Sequence, residues 1–180
     1  MSAPTLSIVI VSWNTREYLD ACLRSIEHVP DEVSRETIVV DNASEDGTAE
    51  MVARSHPDAM LIANEENRGY AAANNQGIDR ASGEYVLLVN PDIEVHEGAL
   101  DTLVRFLQEH AGAGAVAPKL ILPDGSVQAS CRSFPTPDVV LYEALGLSKL
   151  FPRNRRFGKY RMTWWDYDEE RPVDQPMASA

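Results

Sequence analysis

The residues best able to do chemistry here are oxygen-bearing side chains and one guanidinium, gathered at four places. These are Ser12 with Asn14, Asp41 with Asn42, Asn64 with Asn67 and Arg68, and Asn90 with Asp92. Asn90-Pro91-Asp92 is the sharpest. A carboxylate two residues after an amide offers hard oxygen ligands suited to Mg²⁺ or Mn²⁺, ions that commonly take one or two carboxylates and leave the remaining positions to substrate phosphates. Pro91 restricts the turn that aims the carboxylate. An ion held there would offset charge building on a departing phosphate. Asp41 is placed to accept a hydrogen bond from a base or a ribose hydroxyl. Arg68, between Asn67 and Gly69, sits in a tight turn where a guanidinium can grip a diphosphate in bidentate fashion. Each has a plainer alternative: a surface turn at Asn-Pro-Asp, an Asx-turn or helix cap at Asp41, and a solvated cation at Arg68.

For these groups to act together, secondary structure must bring them to one edge. LSIVIVSW (6–13) is a continuous β-branched run of the kind covered on both faces of a sheet. ETIVVD (36–41) and YVLLVN (85–90) read as further buried strands, and AMLIAN (59–64) as a third. Asn14 and Glu17 stand at capping-box spacing before a helix with Leu19, Cys22, Leu23 and Ile26 on one face. TAEMVARSH (48–56) and AAANNQGIDRA (71–81) predict two more helices, the second weakened by Gly77. The clearest helix lies in GALDTLVRFLQEH, where Leu100, Leu103, Val104 and Leu107 share a face. GAVAPKLIL (114–122) predicts another strand and LPDGS a hairpin turn. Strands alternating with helices imply an α/β fold with a mostly parallel sheet flanked by helices. Open sheets of that class bind ligands at the carboxyl ends of their strands. All four polar clusters fall at such ends, which describes a rim fitted for a polar ligand.

Length and charge narrow the field. The 180 residues suit one domain with a real core. A net charge of −12 argues against nucleic acid as a partner. Any phosphorylated ligand must therefore be met by local cations, helix N-termini or a metal. Cys22 and Cys131 lie far apart outside any metal spacing, so free thiols in a reducing cytosol are expected, a single disulfide being the alternative. The first residues lack a signal-peptide pattern and no stretch reaches membrane-spanning length, which leads us to expect a soluble protein. The histidines at 28, 56, 96 and 110 show no paired metal spacing and read as surface or helix-end residues. No GxGxxG, GxxxxGK[ST] or GxSxG is present.

In their order and spacing, SIVIVSWNTREYLDACLRSI, IVVDNASEDGT, NRGYAAANNQGI and YVLLVNPDIEV resemble the family 2 glycosyltransferases of GT-A fold, and most of all their bacterial rhamnosyltransferase-like branch. LPDGSVQASCRSFPTP and LFPRNRRFGKY also resemble that branch. The resemblance implies a nucleotide-sugar-binding core over 1–125 and the start of an acceptor-side region over 126–180, within one domain overall. It implies that Ser12 and Asn14 line the nucleotide pocket and that Asp41 binds the base. Asn67, Arg68 and Gly69 would lie along the nucleotide and diphosphate. Asn90 replaces the first acid of the family's Asp-x-Asp, and Asp92 would bind the Mg²⁺ or Mn²⁺; an amide is the weaker ligand of the two. The implied reaction is inverting transfer from a nucleoside-diphosphate sugar, dTDP-rhamnose on this branch, to a hydroxyl of a bacterial cell-surface polysaccharide or lipid-linked glycan. The implied location is the cytoplasm, with peripheral contact at the inner face of the plasma membrane. Relatives continue past VDQPMASA into the segment that supplies the catalytic base, so the base is expected beyond residue 180, with Asp174 the one substitute within the chain. A noncatalytic nucleotide-binding or interaction module is the alternative.

The tail has its own character. KLFPRNRRFGKYRM (149–162) concentrates cations among aromatics, and TWWDYDEERPVD then turns acidic. The stretch at 149–161 suits contact with an anionic membrane surface. Equally, it suits a solvated loop balancing the acids that follow.

Overall fold

A computed structural model of the protein describes residues 3–176. The chain separates into two compact units, 1–116 and 117–180. In the first, β1 (Leu6–Ser12), β2 (Arg35–Asp41), β3 (Met60–Ala63) and β4 (Tyr85–Val89) form one parallel sheet in the order β3-β2-β1-β4. β1 lies inside the sheet and is buried along its whole length, as its unbroken apolar run requires. β4 differs from expectation. It is an edge strand, and Val86 and Leu88 are each 43% exposed on one of its faces.

Three helices cover one face of this sheet: α1 (Arg16–His28), α2 (Thr48–Ser55) and α4 (Ala99–Glu109). Their Leu19, Leu23, Val52 and Leu100 join Ile8 and Ile10 of β1 in the main core. α3 (Tyr70–Ile78) packs on β1 and β2 through a smaller cluster containing Val11, Val40 and Ala73. Gly77 was expected to weaken this helix. Instead it seats it, because a Cβ there would run into the Val9 side chain.

Polar ties fix the elements. Asp31 accepts N–H groups of Gly98 (2.6 Å), Leu100 (2.8 Å) and Asp101 (3.3 Å), capping α4 from a distant loop. Asp101 in turn accepts the amides of Glu32 and Val33, which hold its carboxyl below the ordinary value. His56 ends α2 but does not reach the surface. Its ring is buried, with Nδ1 2.6 Å from Glu27 and Nε2 2.9 Å from Asp20, both on α1. Two carboxylates on one helix face make a buried imidazole tolerable, a pairing that spacing around the histidine alone does not reveal.

In the second unit, β5 (Leu120–Ile121) and β6 (Val127–Gln128) make the expected hairpin, with Gly125 at φ 81° in its turn. The strand predicted over 114–122 forms only at Leu120–Ile121. Pro118 interrupts that run with a residue lacking an N–H. β7 (Cys131–Arg132) pairs antiparallel with β8 (Gln175–Pro176), and α5 (Pro137–Ala144) packs on the short α6 (Leu147–Leu150). Both cysteines are free and buried. No described helix is long and apolar enough to cross a membrane.

Candidate functional site at the carboxyl edge of the sheet

Register places the strand ends together. Ser12 lies opposite Asp41, Asp41 opposite Ala63, and Ile10 opposite Val89, so the chain leaves all four strands along one edge. The loops there are stitched by side chains. Ser12 is buried, its hydroxyl 2.8 Å from that of Thr15. Asn14 sits in the left-handed region at φ 53° and faces the loop after β2: its backbone N–H donates to Ser44 Oγ, and its side-chain Oδ1 accepts the Glu45 N–H, both at 2.8 Å. It therefore does not cap α1. Thr15 stands at the N-cap position, without a side-chain cap bond. Asp46 accepts the N–H of Arg16 at 3.0 Å and that of Thr48 at 3.1 Å. Desolvation pushes its carboxyl up, but these bonds and the Thr48 hydroxyl outweigh that and hold it low.

Asp41 is the buried acid of this edge, 2% exposed. Its Oδ2 accepts the Ser44 N–H at 3.2 Å, while its buried Oδ1 has no partner among the described residues. A buried, unpaired carboxylate oxygen is costly unless something completes it. Ala43, two residues on, carries φ 64°, a conformation a non-glycine residue rarely adopts.

Asn42 is the hub of the next loop. Its Nδ2 donates to Asn67 Oδ1 (2.8 Å), and its Oδ1 accepts the backbone N–H of Arg68 (3.0 Å) and Nδ2 of Asn64 (3.2 Å). Asn64 also exchanges two bonds with Gln76 of α3. Asn67 Oδ1 further accepts the Gly69 N–H at 2.9 Å, so Asn67 shapes the loop from within. Gly69 at φ 79°, ψ 158° uses a backbone region open to glycine, and it delivers the chain into the first turn of α3. Arg68 beside it is exposed, and its guanidinium has no ion pair or hydrogen bond among the described residues.

Tyr70 closes the circuit, its hydroxyl donating to Asn90 Oδ1 at 3.2 Å. Asn90 thereby ties α3 to the end of β4. Asp92 is exposed two residues further on. Its charge reaches Cys22, whose thiol is pushed up to about 12 by burial first and then by Asp92 and Glu94. Among the described residues, no three His, Cys, Asp or Glu side chains come together to hold an ion. The donor set is one free carboxylate and an amide whose oxygen already accepts a tyrosine hydroxyl. Such a set fits Mg²⁺ or Mn²⁺ on one condition, that diphosphate and water supply the other ligands.

The rim thus joins Ser12, Asn14, Asp41, Asn67, Arg68, Gly69 and Asn90 through hydrogen bonds or register, with Asp92 adjoining in sequence. Three contributors had no role assigned from sequence. Asn42 reads from sequence only as a polar strand end, Tyr70 carries no local signal, and Trp13 continues the strand pattern although it is 56% exposed between Ser12 and Asn14. A concavity of about 430 Å³, lined by Arg16, Ser44, Glu45, Gly47, Glu50, Met51 and Arg54, adjoins at Ser44. Its two guanidiniums face two carboxylates, leaving no net charge to draw an anion. In the second unit, Asp174 accepts the Phe134 N–H at 2.9 Å, a structural duty.

Known proteins resemble this chain in sequence and in fold. Residues 7–160 match the family model described as Glycosyl transferase family 2. The chain is 30% identical, over 93% of its length, to an N-acetylglucosaminyl-diphospho-decaprenol L-rhamnosyltransferase of Mycobacterium tuberculosis, and spans 57% of that relative. It is 28% identical, over 82% of its length, to the low-salt glycan biosynthesis hexosyltransferase Agl10 of Haloferax volcanii, spanning 46% of that protein. Among solved structures, a mannosyltransferase of Pyrobaculum calidifontis in complex with GDP-Man and Mn²⁺ superposes with a TM-score of 0.53 at 28% identity, over 69% of this chain and 37% of that one. TarS of S. aureus in complex with UDP-GlcNAc shares the fold, with a TM-score of 0.53 at 23% identity, over 67% of this chain and 41% of that one.

Proposed function

The chain belongs to glycosyl transferase family 2, and on that premise we propose that it is the donor-binding part of a transferase that takes a sugar from a nucleoside diphosphate. The observation that carries the reading is the buried oxygen of Asp41, unpaired among the described residues, beside a loop that presents the Arg68 guanidinium at the start of α3. Asp41 accepts a hydrogen bond from the base or ribose. Trp13 offers a flat face on which a base stacks. Arg68 pairs with the diphosphate, assisted by the positive end of the α3 dipole. Asp92, with Asn90 beside it, would hold a Mg²⁺ or Mn²⁺, which when bound neutralises charge on the leaving diphosphate.

The donor we favour is dTDP-rhamnose, and the acceptor a hydroxyl of a bacterial surface polysaccharide or lipid-linked glycan. The named activity of the mycobacterial relative supports both, and transfer is taken as inverting. No residue of this chain is assigned as the base that activates the acceptor. We place the functional division between donor side and acceptor side after residue 125, and the protein in the cytoplasm with peripheral membrane contact.

Calorimetry with UDP and dTDP, with and without Mn²⁺, tests the proposal. Mn²⁺ should tighten nucleotide binding, and Asp92→Ala should remove that gain. Affinity indifferent to both would refute the transferase reading. A noncatalytic nucleotide-binding module is the second reading, favoured by the engagement of the Asn90 oxygen with Tyr70. It predicts metal-dependent binding of dTDP-rhamnose with no sugar release or transfer.

A further inference from the structure

We propose that the outer face of α5, with the end of α6 and the basic segment after it, docks onto an anionic phospholipid bilayer. α5 is apolar on both sides. Val139 and Tyr142 are buried within the second unit, whereas Val140, Leu141, Ala144 and Leu145 are exposed. Those four positions follow the i, i+1, i+4, i+5 pattern of a single helix face. Val140 is 57% exposed, Leu141 54% and Leu145 61%, and beyond them Leu150 reaches 70% and Phe151 52%. The acids of α5, Asp138 and Glu143, lie outside that set of four, so a continuous apolar strip of the helix faces water.

The charges beside it say what covers it. Residues 137–165 carry six cations and two acids, Asp138 and Glu143, in a chain whose net charge is −12. Glu143 lies 3.6 Å from Arg161. Arg156 donates to the Tyr142 hydroxyl at 2.7 Å, and Arg155 lies 4.9 Å from the Trp164 ring centre. Lys149 and Arg153 are exposed, and their side chains have no ion pair or hydrogen bond among the described residues. Of the acids that follow, Asp168 pairs with Lys119 at 3.1 Å and Asp174 is engaged with Phe134. Apolar side chains that sink into the acyl boundary, flanked by cations that meet lipid phosphates, are the chemistry of an interfacial helix. A second copy is the poorer occupant, because a two-fold contact through this face would set Lys149 and Arg153 against their own kind. The purpose of such contact, reaching a lipid-borne acceptor, rests on the transferase reading, but the surface itself does not.

Vesicle co-sedimentation of the 180-residue chain tests this, comparing phosphatidylglycerol-containing vesicles with pure phosphatidylcholine. The chain should bind the anionic vesicles, more weakly as salt rises. Lys149→Gln with Arg153→Gln should lower partitioning about 30-fold. Leu141→Ser with Leu145→Ser should lower it as strongly while leaving the circular dichroism spectrum intact, since both positions are exposed. Nucleotide affinity should be unchanged in both variants. Vesicle binding without nucleotide binding would therefore sink the transferase reading and leave the docking surface standing. Failure to bind either vesicle, or a solution dimer that the Leu→Ser pair dissolves, would overturn the bilayer proposal.

Discussion

Asp41→Asn separates a ligand-binding acid from a turn-forming one by the sign of two effects. The substitution keeps the shape of the side chain and an oxygen for the Ser44 N–H, but removes the charge from the buried, unpaired side. If a nucleotide donor group completes that oxygen, the variant loses a hydrogen bond to a charged acceptor, about 1.5–3 kcal/mol. This corresponds to a 10- to 150-fold rise in Kd, within about a factor of two. Without ligand, the wild type bears the desolvation of an unsatisfied carboxylate oxygen, so the variant should melt at the same temperature or higher. Calorimetry with UDP and dTDP in Mn²⁺, alongside thermal unfolding, measures both. An Asp41 that merely builds the turn would give the opposite pair, unchanged affinity with lowered stability, and that result would refute the reasoning.

Trp13→Ala should weaken nucleotide binding by about 1–3 kcal/mol with little change in melting temperature, because the indole is exposed and stacks only on a bound base. Gly77→Ala should destabilise the fold by about 1–3 kcal/mol in urea unfolding through the clash with Val9, and Val9→Ala should recover part of that loss in a double-mutant cycle. Stability should also fall in acid. Desolvation pushes the Glu36 carboxyl up, but hydrogen bonds from Ser7, Ser82 and Gly83 outweigh it, and backbone bonds hold Asp101 low. Carboxyls lowered in the folded state contribute stability that is full above their unfolded values of 4.5 and 3.8 and is lost as pH falls through the folded ones. Urea midpoints across that range should drop, and Glu36→Gln should flatten the drop.

What the sequence made legible follows from local physics. The β-branched run of β1 and the apolar spacing of α1 and α4 are periodic signals, and periodic signals survive without knowledge of tertiary contacts. The strand ends were readable for the same reason, and with them the positions of Asp41, Arg68 and Asp92. What escaped depends on distant partners. Asn14 looked like a cap, yet its oxygen bonds Glu45 across the sheet edge. His56 looked superficial until Asp20 and Glu27 were brought to it from α1. Asn42 organises a loop through residues 22 to 26 positions away. β4 has the composition of a central strand, but nothing in its own residues reveals that no described strand pairs along its other side. Gly77 read as a helix flaw because Val9, lying beneath it, is 68 positions earlier in the chain.

Paramagnetic broadening by Mn²⁺ in the presence of dTDP, read amide by amide in a nitrogen–proton NMR spectrum, tests the rim most directly. The account predicts loss of signal centred on residues 90–92, reaching 12–14, 41–44 and 67–70, and abolished by Asp92→Ala. Broadening confined to the acidic stretch at 166–174 or to the Glu45–Glu50 concavity, with the strand ends unaffected, would contradict it.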